Sequence, residues 1–414
     1  MILEKINDFV WGNGLVFLFL FTGALLTFRL KFIQLRLPFL LKNHGKSKNS
    51  GLSQFRTVCM SLGTAMGTGN IVGAASAVAI GGAGAVFWMW VSAFLGMATV
   101  YTENIFSARY SDNELKGPMA YLTKGLGCPL MAMLFAFFCI CASLGMGGMA
   151  QISVFAEALG QCTDFSRPAT SIIIFTVLWF VIKGGGKSIG TAAQFLLPAA
   201  SIIYSAACIA VIAVNFSCIP QIFADIFSEA FSFKSAAGGT AGYALSVGIR
   251  RGLFSNEAGL GSSPILHSAA EDTIPETQGL WSMFEVFFDT IICCTLTAVT
   301  VLCSSESFSP AEALTTVMGN LSEIFITAEL GIFSFCTVIG WYYCGMTAFR
   351  HLFKEKYIGS FAVFYAASAA CGVLFSAKSI WLISDIFNGL MAFVNITGLL
   401  IIIFFDKNND VSPS

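Results

Sequence analysis

Charged residues are scarce in this chain: 11% of its 414 residues, where a soluble globular domain carries about 25%. So few charges cannot clothe a water-facing surface. The net charge of −1 also removes the basic footprint that nucleic acid requires. Histidine occurs three times, at His44, His267 and His351, with no metal-ligand spacing and no HExxH motif. A membrane-embedded enzyme needs a nucleophile with its base, or a metal cluster, at one depth, and that is the weakest reading here. The 13 cysteines lie mostly within apolar runs (Cys59, Cys139, Cys141, Cys293, Cys294, Cys336). They lack CxxC pairs and disulfide-like loop spacing, so they read as small hydrophobes. No cofactor is expected. The first apolar window, 10–28, has neither a net basic flank before it nor an A-x-A site after it, and reads as a span rather than a cleavable signal.

What is present is hydrocarbon. Apolar residues make up 56% of the chain and mean hydropathy is +0.78, with 41 Phe and 40 Gly to serve lipid-facing rings and close helix contacts. The reading is an all-α integral membrane protein. Eleven apolar windows have the length of spans, near 10–28, 57–80, 84–108, 129–160, 169–184, 192–214, 238–268, 279–303, 326–350, 358–376 and 379–405. The seventh, interrupted by Arg250 and Arg251, is the weakest.

The loop after the first span holds Arg29, Lys31, Arg36, Lys42, Lys46, Lys48 and Arg56. Alternating from there, the same side collects 16 of the 22 basic residues, Arg109, Lys116, Lys124, Lys187 and Arg350 among them. The positive-inside rule then puts the N-terminus outside and the C-terminus in the cytoplasm, a parity that eleven spans satisfy. Without the first helix, ten remain, five on each side of a polar connection at 215–235. Odd-numbered halves enter the bilayer from opposite faces, which makes an inverted repeat of the leucine-transporter (LeuT) kind. The divisions are 1–56 (extra helix and basic cytoplasmic loop), 57–214 (first repeat), 215–235 (extracellular connection), 236–405 (second repeat) and 406–414 (cytoplasmic tail).

The first helix of each five is interrupted by glycine: GTAMGTGNIVGAASAVAIGG at 63–82 and RRGLFSNEAGLGSSPILHSA at 250–269. Isolated GxG motifs in membrane helices ordinarily serve close packing. Two in symmetric positions point instead to unwound segments that line a binding cavity. A break near Gly67-Thr68-Gly69 frees N–H groups and a half-helix N-terminus for a carboxylate. The carbonyls of Gly63 to Met66, with the side chain of Asn70, suit Na⁺. In the second segment, Ser255, Asn256 and Glu257 beside Gly259 and Gly261 are costly at mid-membrane depth unless they face a polar cavity. Its carbonyls suit an ammonium group, while Glu257 is open to two roles, a cation counter-charge or a structural hydrogen-bond partner.

These strings, with FCTVIGWYYCG near 335–345 and DIFNGLMAFVN near 385–395, closely resemble the alanine or glycine:cation symporter family, over roughly residues 10–405. The resemblance implies a LeuT-like core behind one extra helix, carrying small neutral amino acids inward with Na⁺. It implies that the amides near Thr68 and Gly69 hold the substrate carboxylate, that Asn70 lies near a cation, and that the carbonyls of Gly63 and Met66 form half of a sodium site. Thr337 would complete that site beside Cys336, which stands where the family usually has Ser. Trp341 would wall the substrate pocket and Gln151 would face it. Gly148, Ala83, Ala120 and Met346 replace the Asn, Pro, Tyr and acid usual at those positions.

Glu285 and Asp289 share a helix face at i,i+4, and two roles stand for them, a functional one and inter-repeat hydrogen bonding. Glu103 and Asp385 read as inner-gate or loop contacts on the cytoplasmic side. Phe87, Trp88 and Trp90 read as an interface belt or core packing. The expected function is Na⁺-coupled import of alanine, glycine or a similar small amino acid by one chain in a bacterial-type inner membrane. Glutamine or another larger neutral substrate, or H⁺ coupling through Glu257, is the alternative. A passive channel would favour charge rings in a symmetric oligomer over an internal two-fold.

Overall fold

A computed structural model describes residues 2–44, 51–231, 240–270, 274–304 and 307–405. Lys46, Lys48, Lys234, Lys407, the last part of the 215–235 connection and the 406–414 tail lie outside the described residues. Among those described there is no strand. In hydrocarbon a helix satisfies its own backbone, and a chain this apolar has few alternatives.

The main helices are α1 (Asn13–Arg29), α2 (Gly51–Ala65), α3 (Ala74–Gly81), α4 (Gly84–Tyr110), α5 (Pro129–Cys162), α6 (Arg167–Lys183) and α7 (Gly185–Val214). After the connection come α8 (Thr240–Asn256), α9 (Ser262–His267), α10 (Pro275–Ser304), α11 (Ser322–Phe353), α12 (Ile358–Cys371) and α13 (Ala377–Phe405). Each of the eleven apolar windows of the sequence falls on a helix or a broken helix. Among the described residues, eight helices are long and apolar enough to cross a membrane. The three windows left over are the pairs α2/α3 and α8/α9, both broken, and α6, which has 17 residues.

α4 lies at the centre, against α8 on one side and α10 on the other. Gly252 sits on Ser92 and Gly279 on Tyr101, where a Cβ would fall 2.8 and 2.6 Å from the facing side chain, so glycine sets these close approaches. Outward, Phe17, Phe28, Phe180, Phe195, Ile202 and Phe393 are exposed, as rings and aliphatic chains bathed in lipid should be. The short helix Ile219–Ala230 lies across the start of α4. There Trp88 donates to the Ala230 carbonyl at 3.2 Å and Phe87 stands edge-on to Phe231, so the aromatic set packs against this helix.

Among the described residues the helix widens to i→i+5 bonding in four places: Gly69–Gly73, Tyr121–Gly125, Ser143–Ala150 and Phe287–Cys294, the first and the last two at the two breaks and their partners. Such widening concentrates at functional sites because it redirects side chains and loosens carbonyls. Here it brackets Asn70, Gln151 and Asp289.

Candidate functional site

The first break falls at Met66 and Gly67, between α2 and the widened turn. Gly67 is squeezed between two neighbours: a Cβ would lie 2.7 Å from Gln151 Oε1 and 2.7 Å from Thr337 Oγ1. Past it, the Thr68 N–H and hydroxyl both donate to Gln151 Oε1, at 2.9 and 3.0 Å. Thr337 Oγ1 donates to the Gly63 carbonyl at 3.0 Å, with Cys336 packed on Gly63 beside it. Gly63, Thr68, Gln151 and Thr337 therefore come together, and Met66 is fully buried next to them.

The second break runs from Glu257 to Gly261. Its left-handed backbone, φ 53° at Glu257, 82° at Gly259 and 81° at Gly261, is what ends α8 and restarts the chain as α9. Glu257 is buried and takes two donors, Ser262 Oγ at 2.5 Å and Trp341 Nε1 at 2.9 Å. Trp341, wholly buried, packs directly on Gly147, where a Cβ would collide with it. The Glu257 side chain thus holds the indole in place.

Asp289 on α10 joins the two breaks. Its Oδ1 accepts from Asn70 Nδ2 at 2.7 Å, and its Oδ2 accepts from Ser255 Oγ at 2.7 Å and Thr290 Oγ1 at 2.8 Å. Asn70 Oδ1 is buried without a partner. An unsatisfied buried oxygen costs about 1–3 kcal/mol, so this one is suited to receive a cation or an ammonium group. The polar side chains Thr68, Asn70, Gln151, Ser255, Glu257, Asp289 and Thr337 are each at most 3% exposed, Glu257 being the most open. Phe254 closes one side: it packs against Trp381, ring centroids 4.7 Å apart and planes tilted by 47°, and stands 3.9 Å from where a Gly69 Cβ would be.

Two residues expected at the site are engaged elsewhere. The Gly259 N–H donates to Glu103 at 3.4 Å and its carbonyl accepts from Asn395 at 2.9 Å, within a buried group that includes Tyr121. Asn256 turns its Oδ1 to the Ala258 amide and leaves Nδ2 unpartnered. Asp289 and Phe254 were not among the residues expected to touch substrate. The i,i+4 pairing of Asp289 with Glu285 is the one sequence signal that marks it.

Asp385 does not share an end of the molecule with the α4 C-terminus, as the sequence reading had it. It lines a cavity of about 310 Å³ with Asp8, Ile80, Arg250 and Arg251, and its carbonyl accepts from Trp11 Nε1. Span order explains this, because Asp385 begins α13 and so sits at the end where α3 finishes. Glu103 is fully buried, about two turns before the end of α4.

Among the described residues no group of three His, Cys, Asp or Glu could hold a metal ion, so a bound cation would rely on neutral oxygens and single carboxylates. The family model that matches residues 1–408 is that of the sodium:alanine symporter family. The chain is similar to the sodium/alanine symporter AgcS of Methanococcus maripaludis, 36% identical with 97% of this chain and 94% of the relative covered. It is similar as well to the probable sodium/glutamine symporter GlnT of Bacillus subtilis, at 34% with 96% and 87% covered. A third relative, the putative sodium/proton-dependent alanine carrier protein YrbD of the same organism, is 31% identical with 96% and 89% covered. With two interrupted helices meeting in a sealed polar cluster and this coverage end to end, the chain belongs to the sodium:alanine symporter family, a multi-pass membrane transporter of amino acids coupled to Na⁺ and not an enzyme.

Proposed function

We propose that the chain imports alanine, glycine or a similar small neutral amino acid with Na⁺, by alternating access about the two breaks. The reading takes eleven spans, a LeuT-like 5+5 inverted repeat (57–214 and 236–405) behind an extra N-terminal helix, the N-terminus outside and the C-terminus in the cytoplasm. One chain is the transport unit.

The observation that carries it is the meeting of both breaks in one buried polar cluster. Thr68 offers two donors, and Gln151 Oε1 accepts both. A substrate carboxylate presents the same kind of acceptor with full charge, so it displaces the amide oxygen and gains a charge-assisted bond. The ammonium end finds the unpartnered Asn70 Oδ1 and the carboxylate of Asp289. The hydroxyl of Thr337 already meets the Gly63 carbonyl. Turning its proton away leaves both oxygens, with the Met66 carbonyl, to face Na⁺. Trp341, held by Glu257 and Gly147, and Phe254 wall the pocket with two large rings, which favours a small side chain on the substrate. One Na⁺ entering across about 100 mV supplies roughly 2.3 kcal/mol, about a fifty-fold substrate gradient.

Uptake into proteoliposomes under an imposed Na⁺ gradient, screened over neutral amino acids, tests this. Alanine or glycine should accumulate above equilibrium. Preferential accumulation of glutamine would overturn the small-substrate reading, and equilibration without accumulation would overturn the carrier mechanism.

A further inference from the structure

His267, the last residue of α9, is buried with an acceptor at each ring nitrogen. Nε2 meets Glu285 Oε1 at 2.9 Å and Nδ1 meets Gln278 Oε1 at 2.5 Å. With the Gln278 amide in this orientation the ring faces two acceptors, an arrangement that an imidazolium beside a carboxylate satisfies at both nitrogens, while the reversed amide suits the neutral ring. The other oxygen of Glu285 accepts from Ser61 Oγ on α2 at 2.6 Å. Gln278 Nε2 is buried and unpartnered. The pair also has a route to water. A polar cavity of about 340 Å³, lined by Asn104, Ser107, Ser111, Lys116, Gln278 and His267 itself, opens beside it at the end of the bundle that carries Arg109.

We propose that His267 and Glu285 form a proton-binding site that clamps the half-helices α2 and α9 together on one face of the transporter. That this face is cytoplasmic rests on the orientation proposed above. The proton on Nδ1 leaves to water in the cavity, and the Gln278 amide turns over to present its Nε2–H to the bare nitrogen. The Nε2–H bond to Glu285 survives, but between a neutral ring and a carboxylate it loses the cationic partner that made it strong. The clamp weakens, and α2 and α9, which flank the two breaks on this side, are freer to part. A proton from this compartment thus holds the gate shut, and its loss eases opening.

Other titratable groups lie around the pair. Cys59 on α2, Tyr101 on α4 and Cys344 on α11 ordinarily ionise above pH 8. Glu257 and Asp289 are buried carboxyl groups with donors of their own, and H267Q and E285Q leave both in place, so these variants separate their response from that of the pair. The basic groups at this end are Lys42, Arg109 and Lys116, of which Lys116 lines the cavity and donates to the Ser268 carbonyl. Glu276 lies on α10 itself, in its first turn. Asp112, in the loop beside the cavity, is held ionised by its hydrogen bond from Lys124 and the amides of Leu115 and Glu114, which lower its pKa to about 2.

The test is Na⁺-driven alanine uptake by reconstituted protein, with pH varied separately on the two sides over about 5.5–8.5, where histidine changes charge. Wild-type initial rates should rise roughly three- to tenfold, the worth of one net hydrogen bond, as cytoplasmic-side pH rises. H267Q and E285Q should be flat, and H351Q should respond like wild type. A transport-competent H267Q that keeps the full response overturns the proposal. A response confined to the opposite side supports the proton site and overturns only the orientation. If both variants fail to fold, hydrogen exchange of segments 51–65 and 262–270 in wild type decides. After correction for intrinsic rates, protection should fall between pH 6 and pH 8, and equal protection overturns the proposal.

Discussion

Three glycines of the first interrupted segment give the sharpest test of the site, because the structure assigns them different surroundings. An alanine at 67 must place its Cβ 2.7 Å from both Gln151 Oε1 and Thr337 Oγ1, well inside contact distance. One or both side chains must withdraw. That strands the Thr68 donors or breaks the Thr337 bond to Gly63. In the bound state the same Cβ presses on the substrate carboxylate proposed to replace Gln151 Oε1, and a hydrogen bond of about 1–3 kcal/mol lost there is roughly five- to hundred-fold in affinity. Since the Cβ strikes the proposed carboxylate side and the proposed sodium side together, alanine affinity and apparent Na⁺ affinity should fall together in Gly67→Ala. At Gly69 a Cβ meets only Phe254, at 3.9 Å, so the protein tolerates Gly69→Ala. Gly69→Leu instead fills the space proposed for the substrate and should abolish binding in a protein that still inserts and folds. At Gly73 nothing lies within 4 Å, and Gly73→Ala should change affinity by less than about twofold. Equilibrium binding of labelled alanine to purified, monodisperse protein, at several Na⁺ concentrations, reads all of these. Wild-type affinities in Gly67→Ala, or normal alanine binding by Gly69→Leu, would refute the reasoning.

Thr337→Ala removes a candidate oxygen ligand without disturbing α11, so the Na⁺ concentration for half-maximal uptake should rise by more than the alanine KM does; an unchanged Na⁺ dependence would remove Thr337 from the site. Trp341→Ala empties the largest fully buried side chain in the cluster and should admit glutamine as a competitor of alanine uptake, whereas Trp341→Phe, which loses only the bond to Glu257, should keep the small-substrate preference. A cysteine at Lys46 should resist membrane-impermeant thiol reagents in intact cells, and labelling from outside would reverse the proposed orientation.

Much of the fold was legible because the bilayer simplifies the rules. A run of about twenty apolar residues has few options besides a helix, and each such run in this chain is a helix or a broken one. The breaks were legible for the opposite reason, since glycines with Asn70, or with Ser255-Asn256-Glu257, have no place in an uninterrupted lipid-facing helix. Which glycine matters sterically was not. Gly67 and Gly69 look alike in sequence, and only the approach of Gln151 and Thr337 from other helices separates them. Partner choice was hidden in the same way. Nothing local tells that Glu257 will receive the indole of Trp341, 84 residues on, or that Gly259 will be taken by Glu103 and Asn395. The widened turns at Gly69–Gly73 and Phe287–Cys294 leave no periodic trace either, being too short to shift an apolar pattern.

The i,i+4 spacing of Glu285 and Asp289 gains its meaning from those hidden partners. Each carboxylate accepts one donor from the first interrupted segment and one from the second. Glu285 takes Ser61, before the first break, and His267, after the second. Asp289 takes Asn70, after the first break, and Ser255, before the second. Since α2 and α9 lie toward one end of the bundle while α3 and α8 lie toward the other, the proposed alternating access would have the two acids divide the work by side. One ties the half-helices below the breaks, the other those above. A rigid link between all four would forbid any rocking motion, but two separate links on one helix permit either pair to part while the other holds. That is the requirement of alternating access, in which both sides must never open together. The spacing of about one helical turn puts the two links at adjacent depths, with Asp289 the one that belongs to the polar cluster itself.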